Sequence, residues 1–209
     1  MDDLSVILLA GGVGCRFCGV VPKQFVDLCG KPLALHSFAL FQQLPVELVV
    51  VVAAEYRHLF GDVLFANPGA RRQDSMANGL QRCSREWILV HDSARPFVSR
   101  DMVERLYQAA QETGAATTGM PITATVKQVG DRSFVEKTLD RTRLWEIQTP
   151  QMVHRSLLLK GLALQKEVTD DVSLAELVGC PVRVIEGSRR NLKVTSPEDL
   201  LLARVLHAL

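Results

Sequence analysis

The 209 residues suit one domain spanning 1–209, and a 47% apolar fraction is that of a globular chain able to bury a sizeable core. Lysine and arginine (24) balance aspartate and glutamate (23), so no overall field draws the chain to nucleic acid, and any anionic ligand must be held by locally placed cations. No basic n-region opens the chain, no apolar run approaches the ~18 residues of a membrane span, and five cysteines form no disulfide framework; a cytoplasmic protein without membrane contact is expected.

In chain order, 5–9 is short, apolar and β-branched, the character of a strand buried on both faces. A loop rich in glycine follows. Pro32 then precedes a helix expected over 33–43, since proline suits a helix start. A second strand is expected over 47–53, a helix with three- and four-residue apolar spacing over 74–85, and a third strand over 87–91. A helix over 100–112 and a strand over 115–120 continue the alternation, and Thr169-Asp170-Asp171 reads as the start of a helix through Leu174 and Ala175. A strand over 182–186 and a last helix, capped by Ser196 and running to about residue 206, complete it. Alternating strand and helix define an α/β fold with a mostly parallel sheet and helices on both faces.

Residues 123–138 break the rule. They read strand (124–129), a Gly130-Asp131 turn, and strand (132–138), with no helix between. This is expected to be a β-hairpin arm, at about 122–143, standing out from the main sheet. An isolated hairpin is marginal in water, so packing against a second subunit is expected.

The loop after the first strand is the most informative segment: Leu9-Ala10-Gly11-Gly12-Val13-Gly14-Cys15-Arg16-Phe17, then Pro22-Lys23-Gln24. Glycines admit backbone N–H groups close to a phosphate, and Arg16 and Lys23 supply neutralising charge. Two familiar motifs fail on spacing. A dinucleotide fingerprint would need glycine at Phe17, and Gly30-Lys31 is followed by Pro32 rather than the hydroxyl residue of a P-loop. Cys15 and Cys18 form a lone C-x-x-C without a second pair or nearby histidines, so no zinc or redox role is expected. His36, His58, His154 and His207 show no ligand spacing and read as structural.

The pattern A-G-G-x-G-x-R with P-K-Q resembles the nucleotidyltransferases of Rossmann-like, GT-A-like fold. Further motifs narrow the likeness: His91-Asp92-Ser93-Ala94-Arg95-Pro96, Asp140-Arg141, Gln148-Thr149-Pro150-Gln151, and Asn191-Leu192-Lys193-Val194-Thr195 before Pro197-Glu198-Asp199. In this order they resemble the 2-C-methyl-D-erythritol 4-phosphate cytidylyltransferase family over nearly the whole chain. The resemblance implies a homodimeric enzyme that uses CTP and Mg²⁺ or a similar divalent cation to cytidylylate a small polyol phosphate, releasing pyrophosphate. A ribitol-5-phosphate cytidylyltransferase is the alternative acceptor reading. A catalytically silent nucleotide-binding module is the alternative of another class.

Roles follow from the resemblance. Arg16, Lys23 and Lys193 stabilise charge on the triphosphate and the attacking phosphate. Ala10, Gly11, Gly12, Gly14, Gly69, Ala70 and Ser75 form the nucleotide pocket, with cytosine read by backbone and small groups. Asp92, at the end of a buried strand and so at the sheet's ligand edge, is expected beside the ribose and the acceptor and is the favoured candidate metal ligand, the CTP phosphates holding most of the metal. Arg95 and Thr149 contact the acceptor, while Thr125 and Arg141, on and just past the arm, reach across the dimer to its phosphate. Two positions depart from the family pattern: Ala70, where an acidic residue is frequent, and Ala124, where aspartate often precedes the threonine.

Overall fold

The computed structural model describes residues 1–12 and 21–209. Its strands are β1 (Leu4–Leu9), β2 (Asp27–Leu28), β3 (Lys31–Pro32), β4 (Glu47–Val51), β5 (Leu64–Ala66), β6 (Trp87–Asp92), β7 (Ala115–Pro121), β8 (Lys127–Val129), β9 (Val135–Thr138), β10 (Trp145–His154) and β11 (Val182–Glu186). Its helices are α1 (Ala34–Gln42), α2 (Arg72–Leu80), α3 (Arg100–Thr113), α4 (Arg155–Ala163), α5 (Val172–Glu176) and α6 (Pro197–His207).

Seven strands form one sheet in the order β11-β7-β10-β6-β1-β4-β5. Every neighbour pair is parallel except those made by β10, which runs antiparallel to both β6 and β7. The apolar strands alternate between two cores, as a sheet covered on both faces requires. Leu4, Val6 and Leu8 point to the core under α1 and α3, where Phe38, Phe41, Val103 and Leu106 pack. Ile7, Val49, Val51 and Val90 point the other way, onto Met76 and Leu80 of α2, Leu158 of α4 and Leu174 of α5. The expected Rossmann-like α/β architecture is therefore the observed one.

Helix ends follow their local chemistry. The Ser99 hydroxyl accepts from the Met102 amide to start α3, and Gly114, at φ 95°, ends it in the left-handed region that a side chain would disfavour. Ser196 and Asp199 form a reciprocal capping box at α6, with Pro197 in the first turn. α2 runs 72–80 rather than 74–85; Arg71 stands at its N-cap, and Asp74, at the third position, accepts from the Arg71 amide at 3.1 Å.

A third, small core fixes the C-terminal motif. Leu28, Leu33, Ala94, Val194, Leu200 and Ala203 pack together. Burying Val194 completely contributes roughly 1.5–3 kcal/mol, and its amide donates to the Ala94 carbonyl at 2.8 Å. Lys193 is thereby held beside the end of β6.

The hairpin arm is present as β8 and β9, with every residue of both strands exposed. The turn differs from the expected Gly130-Asp131 pair. Val129 faces Val135 across the ladder, so the loop spans 130–134, closed by Gly130 N–H to the Phe134 carbonyl (3.1 Å) with Ser133 at φ 59°.

Candidate active site

The sheet's carboxyl edge collects the motif residues. Ala10 and Gly11 leave β1 there, Asp92 ends β6, and 69–75 enters α2. A 3-10 turn, Lys23–Phe25, returns to the same edge: Gln24 Nε2 donates to the Ala10 carbonyl at 2.8 Å, and Phe25 stacks on Tyr56 at 4.2 Å between ring centroids. These anchors leave a cavity of about 240 Å³ bordered by Ala10, Gly11, Gly12, Lys23, Gly69, Ala70, Ser75, Asp92 and Lys193. Lys23 and Lys193, far apart in sequence, thus face one hollow. Arg16 and Gly14, with the Cys15/Cys18 pair, lie outside the described residues.

Two glycines earn their place here by steric fit. A Cβ on Gly11 would sit 2.5 Å from Pro68 Cβ, and one on Gly69 would sit 2.4 Å from Asp74 Cβ. Neither glycine adopts positive φ, so what requires glycine at these two positions is the close packing of the segments that form the cavity wall. Ser75 Oγ accepts from the Gly69 amide at 2.9 Å and fixes that wall.

Asp92 is the electrostatic centre. Its Oδ1 accepts from Arg72 Nε at 3.0 Å and its Oδ2 from Lys193 Nζ at 2.6 Å. Burial would raise the Asp92 carboxyl, but the Arg72 and Lys193 cations outweigh that and hold it well below the usual carboxylate range. Arg72 also grips Asp171 bidentately at 2.8 and 2.9 Å. Burial pushes Asp171 upward, and the guanidinium fork opposes the push. Asp171 does not cap α5 with its side chain; Asp170 does the local work, accepting from the Ser173 amide at 3.1 Å. Both oxygens of Asp171 belong to Arg72 instead.

A second cavity, about 300 Å³, lies against the first and is lined by Arg95, Thr149, Thr169, Asp170 and the shared Arg72, Asp92 and Lys193. Thr149 is buried; its hydroxyl accepts from the Asp92 amide at 3.0 Å and meets His91 Nδ1 at 3.3 Å. The other ring nitrogen of His91 pairs with the Arg95 carbonyl at 3.0 Å. Complete burial lowers the imidazole to about 4, so it stays neutral near pH 7. Arg95 is buried as well, its guanidinium donating to the Asn191 carbonyl at 2.7 Å. Its buried Nε has no hydrogen-bond partner among the described residues. Asn191 in turn donates to the Thr149 carbonyl at 2.9 Å, and Gln151 Oε1 accepts from the Asp171 amide at 2.8 Å. These motif polar residues stiffen the walls.

The structure therefore brings Ala10, Gly11, Gly12, Lys23, Gly69, Ala70, Ser75, Asp92, Arg95, Thr149 and Lys193 to two adjoining cavities. Thr125 and Arg141 line neither. Arg141 turns back to the Thr123 carbonyl within its own arm. Arg72 stands outside the sequence motifs, and His91 and Asp171, though each stands in a segment singled out in the sequence, have no part in the expected site; the structure places Arg72 at the cavities, Asp171 against Arg72 and His91 behind Thr149.

No group of three or more His, Cys, Asp or Glu side chains suited to a metal occurs among the described residues. Asp92 Oδ2 is the carboxylate oxygen that a divalent cation would find at the nucleotide cavity, in exchange for Lys193. A single carboxylate fits Mg²⁺ that takes its remaining ligands from nucleotide phosphates and water.

A parallel sheet whose carboxyl edge carries a lysine-flanked, glycine-walled cavity beside a second polar one has the plan of a nucleotidyltransferase. The comparisons narrow this. A family model described as IspD, 2-C-methyl-D-erythritol 4-phosphate cytidylyltransferase, matches residues 4–208. The rice chloroplastic enzyme of that name is 47% identical over 220 residues, covering 98% of this chain and 74% of the relative. The Chlamydia pneumoniae enzyme is 42% identical over 214 residues, covering 99% and 100%. The crystal structure of the Thermus thermophilus enzyme superimposes with a TM-score of 0.84 at 32% identity, covering 97% and 98%. The chain belongs to the 2-C-methyl-D-erythritol 4-phosphate cytidylyltransferase family, and it is a CTP-dependent nucleotidyltransferase.

Proposed function

We propose that the chain transfers CMP from CTP to 2-C-methyl-D-erythritol 4-phosphate in the non-mevalonate route to isoprenoid precursors. An oxygen of the acceptor phosphate attacks the α-phosphorus of CTP. A new P–O bond forms as the bond to the β-phosphate breaks, leaving pyrophosphate and 4-diphosphocytidyl-2-C-methyl-D-erythritol. Such a reaction asks the protein for positioning and charge stabilisation rather than for a nucleophilic side chain. The observation that carries the reading is the convergence of Lys23 and Lys193 on the cavity whose walls are Gly11, Gly69 and Ser75.

In this reading the cytosine lies against Ala10-Gly11 and 69–75, the triphosphate lies between Lys23 and Lys193 with Arg16 adding its charge, and Gly12 and Gly14 offer their amides. The acceptor occupies the cavity of Arg95 and Thr149. Mg²⁺ bound by the CTP phosphates and Asp92 supplies charge neutralisation. The working form is a homodimer in which Thr125 and Arg141 of one arm reach the acceptor phosphate in the other copy. Support comes from the arm's exposure: Phe134 is 74% and Val135 58% open to solvent, more apolar surface than a lone hairpin sustains. A cytoplasmic location belongs to the same reading, supported by the free thiols Cys29, Cys83 and Cys180. No described helix is long and apolar enough to cross a membrane.

The test is pyrophosphate release from CTP and Mg²⁺ with each polyol phosphate. Turnover with 2-C-methyl-D-erythritol 4-phosphate is expected. Turnover with ribitol 5-phosphate alone would replace the acceptor, and CTP binding without turnover on either would leave a silent nucleotide module.

A further inference from the structure

The cavity assigned to the nucleotide and the one beside it assigned to the acceptor have three lining residues in common: Arg72, Asp92 and Lys193. Asp92 and Lys193 stand in the family motifs. Arg72 has no role so far, and its surroundings argue against its being a phosphate ligand. One edge of its guanidinium faces Asp92 through Nε (3.0 Å), and its two terminal nitrogens face Asp171 (2.8 and 2.9 Å). Its donors are taken up by the two carboxylates, and with Lys193 on Asp92 the cluster of two cations and two anions is neutral.

Its value is mechanical. Arg72 is the first residue of α2, and the segment leading into that helix walls the nucleotide cavity through Gly69 and Ala70. Asp171 follows Thr169 and Asp170, which wall the acceptor cavity. Asp171 is 1% exposed, and its amide is tied to Gln151 of β10. The guanidinium therefore bolts one substrate's wall to the other's, with a branch to the end of β6. By occupying Asp92 Oδ1 it also leaves Oδ2 as the oxygen turned toward Lys193.

We propose that Arg72, backed by Asp171, is a positioning residue for cytidylyl transfer, setting the spacing between the two substrates and the orientation of Asp92. This rests on the cytidylyltransferase reading above. In-line attack is sensitive to small misplacement, whereas each substrate can still bind its own cavity when the bolt is loosened. The signature is a loss in kcat without a matching loss in CTP affinity.

Two variants of the full chain test it. Arg72→Lys keeps a cation but cannot bridge both carboxylates with a fork. Arg72→Met combined with Asp171→Asn removes one charge of each sign, so no buried charge is left uncompensated. Pyrophosphate release gives kcat and KM, calorimetry with CTP gives Kd, and circular dichroism reports folding. The expected result in both is a kcat lower by about 10- to 100-fold, the scale for residues that orient a ligating group from behind, with CTP Kd unchanged. Wild-type kcat in either folded variant overturns the proposal. So does a CTP affinity that falls in step with kcat, or failure of both variants to fold, since each makes the pair a structural element only. Wild-type protein run alongside separates the two claims: no pyrophosphate from it refutes the proposed function, while normal turnover with unaltered variants refutes only the role of Arg72.

Discussion

Gly11→Ala is the substitution whose consequence the geometry specifies most closely. The added methyl would stand 2.5 Å from Pro68 Cβ and 2.9 Å from Pro68 Cγ, where ordinary contact begins at 3.4 Å. The shortfall of 3.4 − 2.5 = 0.9 Å has no easy outlet. Proline is rigid, and Gly69 behind it is held by its amide bond to Ser75 Oγ at 2.9 Å. On the other side Ala10 is tied to Val51 through its amide (2.9 Å) and to Gln24 through its carbonyl (2.8 Å). Overpacking of this kind costs about 1–3 kcal/mol. In a chain of 209 residues that lowers Tm by roughly 2–12 °C, at 2–4 °C per kcal/mol. If the displacement instead goes into the cytosine wall, the same energy weakens CTP binding by about 5- to 150-fold. Differential scanning calorimetry and a CTP titration measure the two shares. Gly12→Ala is the control, because an added Cβ there meets nothing within 4 Å among the described residues, and its Tm is expected to match wild type. A Gly11→Ala protein with wild-type Tm and wild-type CTP affinity would show that the Gly11–Pro68 contact does not form the wall described.

Further outcomes are expected. Arg16→Met and Lys23→Ala should each lower kcat by on the order of 10²-fold with the fold intact by circular dichroism, the scale for losing one electrostatic stabiliser of a transition state. Acid should destabilise the protein through His91. Its folded value, near 4, lies below the ordinary 6.5, so the unfolded chain binds the extra proton first; the loss begins as pH falls through 6.5 and is complete near 4. That shift amounts to about 3 kcal/mol, and urea melts from pH 7 to pH 4 should show it, less steeply in His91→Gln. Light scattering should report a dimer, and replacing 127–138 by a short turn should give a monomer with little turnover; a fully active monomer would remove the arm from the site.

What the sequence discloses and what it hides divide along physical lines. The parallel strands β1, β4 and β6 announce themselves because burial on both faces demands near-continuous apolar runs, while β7 and the edge strand β11, which has no buried residue, show instead as short segments between helical patterns. β10 escapes notice because its buried centre carries Gln148, Thr149 and Gln151 around Pro150, polar side chains satisfied by partners such as Asn191 and Asp171 that no local pattern reveals. The register shift between Gln148 and Gln151 further blurs its alternation. β5, at three residues, is too short to show a period. In the site, Lys23, Asp92 and Lys193 stand in ordered motifs and are legible. Arg72 and Asp171 are not, since an ion pair joining residues 99 apart in sequence is a product of tertiary structure alone. The Asp-Asp pair at 170–171 illustrates the limit: helix initiation is readable, but which aspartate caps and which is buried against an arginine is not.

Lys193→Met tests whether lysines from opposite ends of the chain act on one triphosphate. Asp92 keeps Arg72 as its partner in this variant, so the fold should persist. With CTP, Mg²⁺ and 2-C-methyl-D-erythritol 4-phosphate at saturation, pyrophosphate release should fall by at least about 10²-fold. Release at the wild-type rate would mean that Lys193 does not act on the triphosphate.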